Sequence, residues 1–306
     1  MQLPPHVRRA IEERAAEIGT GPLKRAAEAL SESYRSGAAA RVGTAERAVA
    51  YAAVRMPATF AAAFSALSQL RQRLAERAIA SVLDIGAGSG AASLAAAELF
   101  PGAGITMLER DAALSSLARE WLPEARVMTA DINNTCAFPE SDVVIAAYSL
   151  GELGRAPIEA LWRAARVAMI VIEPGTPAGY SLTLKLRQAL LALGGFIAAP
   201  CPSAAACPLE PPDWCHFVAR AERSRVHRML KGADLGYEDE KFSYIAVTRE
   251  QVAPAPARII RRPVQTPGLI QLEVCTPGGT DTVKVTKKDR EAFRAARRAG
   301  WGSAWK

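Results

Sequence analysis

The 306-residue chain lacks the features of a membrane or exported protein. It contains no run of 18 or more apolar residues, so we expect no membrane-spanning helix and no membrane partner. Its N-terminal segment has no apolar stretch of the signal-peptide type and carries Glu12, Glu13 and Glu17, which are unusual in an acid-poor targeting peptide. Only five cysteines are present. Without an export signal, they indicate thiols or metal ligands rather than disulfides, and we expect an intracellular protein.

Acidic residues are scarce in one part of the chain only. Residues 251–306 contain 11 Lys/Arg and 4 Asp/Glu, a difference of +7 that equals the net charge of the whole chain. The first 250 residues are therefore neutral overall. A basic excess in the last fifth of a chain suggests a partner with a phosphate backbone. A solvated basic helix would have the same charge, and both interpretations remain open from composition alone.

Proline and composition signals divide the chain. The first segment is Ala-rich with helical spacing, Thr44 is a plausible helix N-cap, and Pro57 should break or kink a helix. We expect these helices to pack as a lid on the following region. A Pro/Ala linker, APAPA, marks a later boundary. The predicted regions are a helical region 1–78, a region 79–250 with a Cys-rich insertion at about 198–236, and a small basic β/helical region 251–306.

Strands and helices alternate from residue 81 onward. The strands are continuous apolar runs, as expected for parallel strands buried on both faces. Strand–helix alternation predicts an α/β fold with a doubly wound parallel sheet. Two further strands, HFVAR and KFSYIAVT, follow the cysteine-rich stretch, and LIQLEV and TVKVT predict a small C-terminal β element before a basic helix and the tail WGSAWK. The first five predicted strands are Val82–Ile85, Ile105–Glu109, Arg126–Ala130, Asp142–Ala147 and Val167–Glu173.

A glycine-rich loop, DIGAGSG, connects the first strand to its helix and contains Asp84, Gly86, Gly88 and Gly90. Glycines allow the backbone to turn sharply and to approach a ligand closely. The pattern Gly86-x-Gly88-x-x-Ala91 also satisfies the dinucleotide fingerprint. Asp84 argues against that interpretation, because sites for a nucleotide pyrophosphate aim a helix N-terminus at phosphate and favour an apolar residue here. A carboxylate suits a cationic ligand with an amino group.

The loop resembles motif I of the class I S-adenosylmethionine-dependent methyltransferases, which have a Rossmann-like sheet. This resemblance implies that Glu109 binds the ribose hydroxyls, that Asp131 and Ile132 contact the adenine, and that Tyr148 and Ser149 border the methyl-acceptor pocket. A domain of the same fold that has lost its ligand remains the alternative. The predicted residues for binding S-adenosyl-L-methionine are Asp84, Gly86, Gly88, Gly90, Glu109, Asp131, Ile132 and Tyr148.

The sequence does not identify a methyl acceptor. Enzymes that methylate exocyclic amines usually carry Asn/Asp-Pro-Pro-aromatic after the fourth strand, where this chain has YSLGEL. Carbon-5 methylation of cytosine needs a cysteine near the fourth or fifth strand, and none is there. Cys136 follows the third strand and is interpreted as a structural thiol. Glu152 and Glu173 are the carboxylates nearest to the expected pocket, with a structural role favoured, so the catalytic residues stay unassigned.

Three cysteines lie in one proline-rich stretch, PCPSAAACPLEPPDWCHF. Cys201, Cys207 and Cys215 have the spacing Cys-x5-Cys-x7-Cys, and Cys275 follows after 59 residues. Zinc sites usually pair ligands as Cys-x2–4-Cys, and the tighter triplet of radical enzymes that use S-adenosylmethionine is absent. Widely spaced, loop-borne thiolates fit a 4Fe-4S cluster at least as well as zinc. The spacing predicts a metal site that joins the α/β region to the C-terminal region, with the metal left open.

Several segments resemble a known family, the mitochondrial small-ribosomal-subunit assembly proteins of the methyltransferase-like type (the Rsm family, with bacterial members). They are YAAVRMPATFAA, VLDIGAGSGAAS, YSLGEL, EPGTPAGY, APCPSAAACPL with WCHF, YEDEKFSYIAVTR and LEVCTPGG. The resemblance covers roughly residue 44 to the end. It implies that the four cysteines bind a 4Fe-4S cluster, with zinc as the alternative.

The same resemblance implies a partner and a location. The partner is the small ribosomal subunit or its rRNA, during assembly or translation. The protein would be either an rRNA methyltransferase or a non-catalytic assembly factor that uses the fold as an RNA-binding scaffold. The lack of a mitochondrial presequence suits a cytoplasmic, ribosome-associated protein of bacterial type. The sequence leaves the oligomeric state open, and we expect a monomer.

Overall fold

The computed structural model describes residues 1–35, 42–135, 137–153 and 157–306, and of residues 33–35 the backbone only. It contains two β-sheets, with helices packed on the larger one. The described helices are α1 (Pro5–Ile18), α2 (Thr20–Arg35), α3 (Ala45–Val54), α4 (Met56–Leu74), α5 (Ala91–Leu99), α6 (Ala112–Trp121), α7 (Ile158–Ala164), α8 (Pro177–Ala192), α9 (Arg225–Lys231) and α10 (Arg290–Arg298). The described strands are β1 (Ser81–Ile85), β2 (Gly104–Glu109), β3 (Arg126–Thr129), β4 (Ser141–Ala147), β5 (Ala165–Pro174), β6 (Phe196–Ala199), β7 (Phe217–Glu222), β8 (Tyr237–Thr248), β9 (Ala257–Ile259), β10 (Val264–Thr266), β11 (Leu269–Thr276), β12 (Gly279–Thr286) and β13 (Ala304–Trp305).

The larger sheet has the strand order β3-β2-β1-β4-β5-β8-β6, and β7 pairs with the first half of β8. Strands β1 to β5 are parallel, as predicted, whereas β8 runs antiparallel to β5, β6 and β7. This arrangement confirms the class I methyltransferase-like fold. The order reverses between β1 and β4, and ligands of such sheets bind beyond the carboxyl ends of the strands at this switch point.

The N-terminal helices cover one face of this sheet. Thr44 Oγ1 accepts a hydrogen bond from the Arg47 N–H at 3.3 Å, which confirms the predicted N-cap of α3. Pro57 lies in the first turn of α4, where a missing N–H costs nothing, so the chain breaks between α3 and α4 as expected. Phe60, Leu67 and Leu70 are buried in one apolar core with residues of α5 and β1. The sequence also predicts a second helix that starts at Pro22 and ends near Gly37; that end lies outside the described residues, as does Cys136.

The C-terminal sheet has its own small core. Its order is β10-β11-β9-β13, with β12 on the other edge of β11. The segments predicted as strands, LIQLEV and TVKVT, are β11 and β12. The expectation of a plain tail for WGSAWK is wrong, because Ala304 and Trp305 pair with β9. A two-residue strand whose partner lies about 45 residues away cannot be predicted from a local sequence pattern. The core consists of Ala257, Ile259, Ile270, Leu272, Val274, Val285 and Ala296.

Within the described parts of the chain, we find no helix with the length and apolar character needed to cross a membrane. The region boundaries after residues 78 and 250 remain predictions.

Candidate functional site

The glycine loop lies at the carboxyl end of β1, in the middle of the larger sheet. Its turn is closed by the N–H groups of Gly86 and Ala87, which donate to Leu108 O at 2.9 and 3.0 Å. Gly86 has φ +67°, and a Cβ at this position would lie 2.6 Å from Ser149 Cβ. The position therefore requires glycine for two reasons: its backbone conformation, and its close approach to Ser149 in the loop after β4.

Asp84 is fully buried beneath this loop, with 1% of its surface exposed. Ser93 Oγ donates a hydrogen bond to Asp84 Oδ2 at 2.6 Å. Burial raises the pKa of Asp84 to about 6, and the Ser93 bond opposes the shift. A carboxylate that is buried with a hydroxyl partner and no cation gains from a cationic ligand nearby.

Glu109 links the end of β2 to the glycine loop. Its Oε2 accepts from the Gly88 N–H at 2.8 Å, and its Oε1 accepts from the Asp111 N–H at 2.8 Å. These two bonds hold the carboxylate in one orientation. Because an ionised carboxylate has about four acceptor positions, both oxygens can still accept hydroxyl hydrogens.

Asp131 and Ile132 begin a short 3-10 helix after β3. Asp131 Oδ1 accepts from the Asn133 N–H at 3.0 Å and so caps that turn. Ile132 is buried and presents an apolar surface beside Gly86, where a Cβ would lie 3.4 Å from Ile132 Cδ1. This combination of an apolar wall and a rigid turn suits the face of a planar ring.

These residues surround one cavity of about 460 Å³, a size typical of small-molecule sites. Seven of the eight predicted cofactor residues line it, and Gly90 lies behind the loop as the N-cap of α5. The N-terminal helices were expected to pack as a lid, but the sequence did not predict that Tyr51, Met56 and Thr59 of these helices line the cavity. The predicted residues that line it are Asp84, Gly86, Gly88, Glu109, Asp131, Ile132 and Tyr148.

Tyr148 lines this cavity in an uncommon conformation. Its φ is +56°, in the left-handed region that non-glycine residues rarely adopt. Its hydroxyl donates to Glu240 Oε1 at 3.0 Å, and Arg55 Nη2 lies 3.7 Å from the same oxygen. Strained residues of this kind cluster at functional sites. The contacts among Tyr148, Glu240 and Arg55 join the carboxyl end of β4 to β8 and to the α3–α4 junction.

Glu173 supports the loop after β4 from below. It is 2% exposed, and its Oε1 accepts from the Gly151 N–H at 3.2 Å. Burial raises the pKa of Glu173 to about 7, and bonds from backbone N–H groups oppose the shift. Glu152 lines the cavity itself, and burial raises its pKa as well. The position of Glu173 agrees with the structural role favoured from the sequence.

Glu173→Gln is expected to stabilise the protein at high pH. The pKa is about 7 folded against 4.5 unfolded, so the folded state binds more protons between these values and loses stability as the pH rises. Removing the charge should add about 2 kcal/mol at pH 8, a few degrees in Tm, and nothing at pH 4.5. Thermal melts at both pH values measure this. Glu124→Gln on the surface is the control, and a gain that does not depend on pH would contradict the assignment.

The four predicted metal ligands meet around a second cavity. Cys201, Cys207 and Cys215 lie in the loop between β6 and β7, and Cys275 lies on β11 of the other sheet. All four line this one cavity. The loop is held in place by Ser243 Oγ, which donates to Cys215 O at 2.7 Å.

The environment of these thiols is buried and short of carboxylates. Burial raises the pKa of Cys275 to about 11 and that of Cys215 well above its ordinary value, and the neighbouring thiols contribute. The Tyr180 hydroxyl donates to Cys207 Sγ at 3.1 Å. A bound metal cation is what turns such thiols into thiolates. Over the described ranges, no three histidine, cysteine or carboxylate side chains are arranged to hold a single metal ion.

Two arginines beside this cavity were not predicted from the sequence. Arg187 on α8 and Arg258 on β9 both line it, and both are buried. The sequence signal for these buried arginines is a charged residue at an otherwise inward-facing position. Arg187 lies one helical turn after Thr183 on the inner face of α8, and Arg258 stands between apolar residues in Ala-Arg-Ile-Ile.

The basic segment Arg220–Lys231 carries fewer available charges than its sequence suggests. Arg220 donates to both oxygens of Asp239, at 2.7 and 3.0 Å. Arg223 and Lys231 both donate to Glu238 Oε2 at 3.0 Å. These pairs across β7, α9 and β8 engage three of the five Lys/Arg residues of the segment, whereas Arg225 and Arg228 are exposed. The lysines and arginines of β12 and α10 are exposed and form no ion pair with a described residue.

The chain matches one family of known proteins and is similar to a human protein of known name. Residues 45–306 match the family model described as "Mitochondrial small ribosomal subunit Rsm22". The human "Ribosome assembly protein METTL17, mitochondrial" is 25% identical over 283 residues, which take in 82% of this chain. The chain spans 61% of the length of that relative.

Two solved structures that are similar to this chain have lower sequence identity to it than the human relative has. A TehB-like SAM-dependent methyltransferase from Corynebacterium glutamicum is 16% identical with a TM-score of 0.40, and covers 62% of this chain and 88% of its own. A SAM-dependent methyltransferase from Aquifex aeolicus is 12% identical with a TM-score of 0.40, and covers 65% and 95%. The family match, in contrast, extends over both sheets and includes all four cysteines. The chain therefore belongs to the Rsm22 family.

Proposed function

We propose that this protein binds S-adenosylmethionine and acts on the small ribosomal subunit or its rRNA, with a 4Fe-4S cluster on Cys201, Cys207, Cys215 and Cys275. The observation that carries the cofactor assignment is the 460 Å³ cavity, which seven of the eight predicted cofactor residues line. The subunit assignment rests on membership of the family and on the basic C-terminal region.

The residues of the cavity fit the cofactor by their chemistry. S-adenosylmethionine would supply a methyl group on a positively charged sulfonium. The Glu109 carboxylate, held by two backbone N–H groups, would accept hydrogen bonds from the ribose hydroxyls. Asp84, which lies beneath the glycine loop, would attract the positively charged amino-acid part of the cofactor. Asp131 and Ile132 would border its adenine. The enclosing helices would exclude water, which methyl transfer from such a donor requires.

The cysteine centre supports a cluster first and zinc second. Four thiols around one cavity are the donor set of either centre, but no three described side chains are arranged for a single ion such as zinc. Their Cys-x5-Cys-x7-Cys spacing departs from the close pairs of ordinary zinc sites. Anaerobic purification followed by iron, sulfide and zinc analysis separates the two. Zinc without sulfide would reject the cluster.

The basic C-terminal region is suited to phosphate contacts. Helix α10 packs its Ala296 side against the C-terminal core and leaves its arginines exposed. Phosphate contacts position a protein on RNA without reading its sequence. The exposed basic residues are Lys284, Lys287, Lys288, Arg290, Arg294, Arg297 and Arg298. The name of the human relative, a ribosome assembly protein, agrees with such a partner.

A map of methylated rRNA nucleosides tests the enzymatic part. Small subunits from cells with and without the gene are digested and compared by mass spectrometry. We expect one methylated nucleoside to disappear without the gene and to return with the wild-type gene but not with Glu109→Ala. Identical maps would reject methyl transfer.

The second candidate is a non-catalytic assembly factor that uses the same fold as a scaffold. It is favoured by one observation: the Tyr148 hydroxyl at the acceptor end is bound to Glu240, so it is engaged rather than presented to a substrate. In this case the nucleoside maps would agree, but subunit profiles on sucrose gradients would show fewer mature small subunits without the gene. Normal profiles together with identical maps would reject both candidates.

A further inference from the structure

Two guanidinium groups are buried beside the four cysteines without a counter-charge from the part of the chain that the structure describes. Arg187 is 4% exposed and Arg258 is 1% exposed. Arginine remains charged in proteins, and a buried charge is costly unless an opposite charge compensates it. Neither residue forms an ion pair with a carboxylate of the described chain.

Their hydrogen bonds go to neutral groups instead. Arg187 Nη2 donates to Ser203 O and Ala205 O at 3.1 and 2.7 Å. Arg258 Nε donates to Pro200 O at 3.0 Å, and its Nη1 donates to Gly302 O at 2.9 Å and also contacts a glutamine of α4. Carbonyl oxygens orient the two groups but carry no net charge. Arg187 Nε and Arg258 Nη2 are buried and have no acceptor.

The unsatisfied groups belong to side chains that line the cysteine cavity. Arg187 and Arg258 line it together with Cys201, Cys207 and Cys215 of the loop and with Cys275 of β11. The two cations therefore lie beside thiols from both sheets.

We infer that Arg187 and Arg258 are the charge-compensating partners of the centre held by the four cysteines, and that their unsatisfied N–H groups serve its sulfur atoms. The inference rests on the proposed metal centre. Four thiolates with a 4Fe-4S core of charge +2 carry a net charge of −2, and so do four thiolates with Zn²⁺. Two guanidinium groups balance either one. Hydrogen bonds to cluster sulfurs and nearby charge are the means by which a protein sets the reduction potential.

Arg258 has a second role that Arg187 lacks. It bonds to the start of the cysteine loop at Pro200 and to the C-terminal segment at Gly302, while being part of β9. Its guanidinium is thus held between the two sheets at the centre. Arg187 bonds only to the cysteine loop. We expect both arginines to tune the centre, and Arg258 also to hold the C-terminal sheet.

Redox titration of the anaerobically purified holoprotein tests this inference. Reduction adds a negative charge, so losing a cation should disfavour the reduced state. Arg187→Gln and Arg258→Gln are each expected to lower the reduced-to-oxidised ratio at a fixed potential at least tenfold, which is 59 mV for one electron. The lysine variants should recover part of this change. Lys185→Gln, exposed on the same helix, is the control and should have no effect.

The outcomes separate this inference from the proposed centre. Iron and sulfide analysis of the wild type tests the cluster alone. If the cluster is intact and both glutamine variants titrate like Lys185→Gln, the arginine inference is rejected. If a glutamine variant loses its cluster, the lysine variant, which keeps the charge, replaces the titration: retention of the cluster in the lysine variant supports the inference, and loss of the cluster in both variants rejects it. If the wild type holds zinc, tenfold faster zinc release from the glutamine variants supports it, and unchanged release rejects it. A wild type without any metal rejects both.

Discussion

Cys275→Ser is expected to lose the metal and to loosen the C-terminal sheet, while the glycine-loop cavity keeps its ligand affinity. Cys275 is the one predicted ligand that comes from β11, whereas the other three come from the loop between β6 and β7. Without it, the centre would no longer join the two sheets. Because the free energy of binding a structural metal is also free energy of folding, a loss of about 3 kcal/mol should lower Tm by roughly 6–12 °C.

We expect the remaining contacts between the two regions not to replace the centre. The His216 ring lies 5.2 Å from Trp214 and 4.8 Å from Trp301, measured between ring centroids, so one aromatic stack crosses the junction. An ion pair between Arg261 and Asp213 lies at the partly exposed edge of the junction. Arg258 bonds across the junction but lies beside the centre, and its buried charge would become a cost once the thiolates are gone.

Trypsin provides a local measurement of this loosening. Arg258 is 1% exposed, so trypsin should not cut there in the wild type. In Cys275→Ser we expect cleavage after Arg258, together with loss of iron and sulfide. Cys136→Ser is the matched control, because the sequence separates Cys136 from the four predicted ligands. Full metal content and a protected Arg258 in Cys275→Ser would contradict the four-cysteine centre.

Glu109→Ala is expected to weaken binding of S-adenosylhomocysteine by roughly 10- to 100-fold. A hydrogen bond to a charged group contributes about 1.5–3 kcal/mol, and each 1.4 kcal/mol is tenfold in affinity. The carboxylate also orients the Gly88 and Asp111 N–H groups, so its loss should disorder the loop that faces the ligand. Isothermal titration calorimetry measures the change.

Two further variants sharpen this experiment. Glu109→Gln keeps the size of the side chain but places an NH₂ group opposite one backbone N–H, so we expect it to lose affinity as well. Glu98→Ala, exposed on α5, is the control and should bind normally. An unchanged affinity in Glu109→Ala, with a normal melting curve, would show that the 460 Å³ cavity does not bind the cofactor through this carboxylate.

Much of the larger sheet could be predicted because its signals are local. Each of the five parallel strands is a short apolar run, and the next helix or turn follows within a few residues. The glycine loop could be placed because DIGAGSG joins a strand directly to a helix, and parallel strands bring Glu109, Asp131 and Tyr148 to the same edge. The strands that were missed, among them β6 and β13, are short and depend on distant partners.

Charge was harder to assign than structure. The segment Arg220–Lys231 and the C-terminal helix are both basic in the sequence, yet only the first pairs most of its basic side chains with carboxylates of another described element. Its partners, Glu238 and Asp239, come from β8, which pairs with β7 in antiparallel register. Sequence position alone does not reveal which charges meet across a sheet, so the exposed basic surface could be identified only after folding.

The sequence by itself determined the apolar runs that become the parallel strands, the acidic glycine loop and the set of four cysteines, because each depends on residues close together in the chain or on a rare residue type. Tertiary structure decided how the parts combine. It brought Cys275 to the other three thiols, placed the N-terminal helices over the cofactor cavity, and buried Arg187 and Arg258 where no carboxylate of the described residues balances them. These features depend on packing between segments separated by tens to hundreds of residues, and no local pattern encodes such distances.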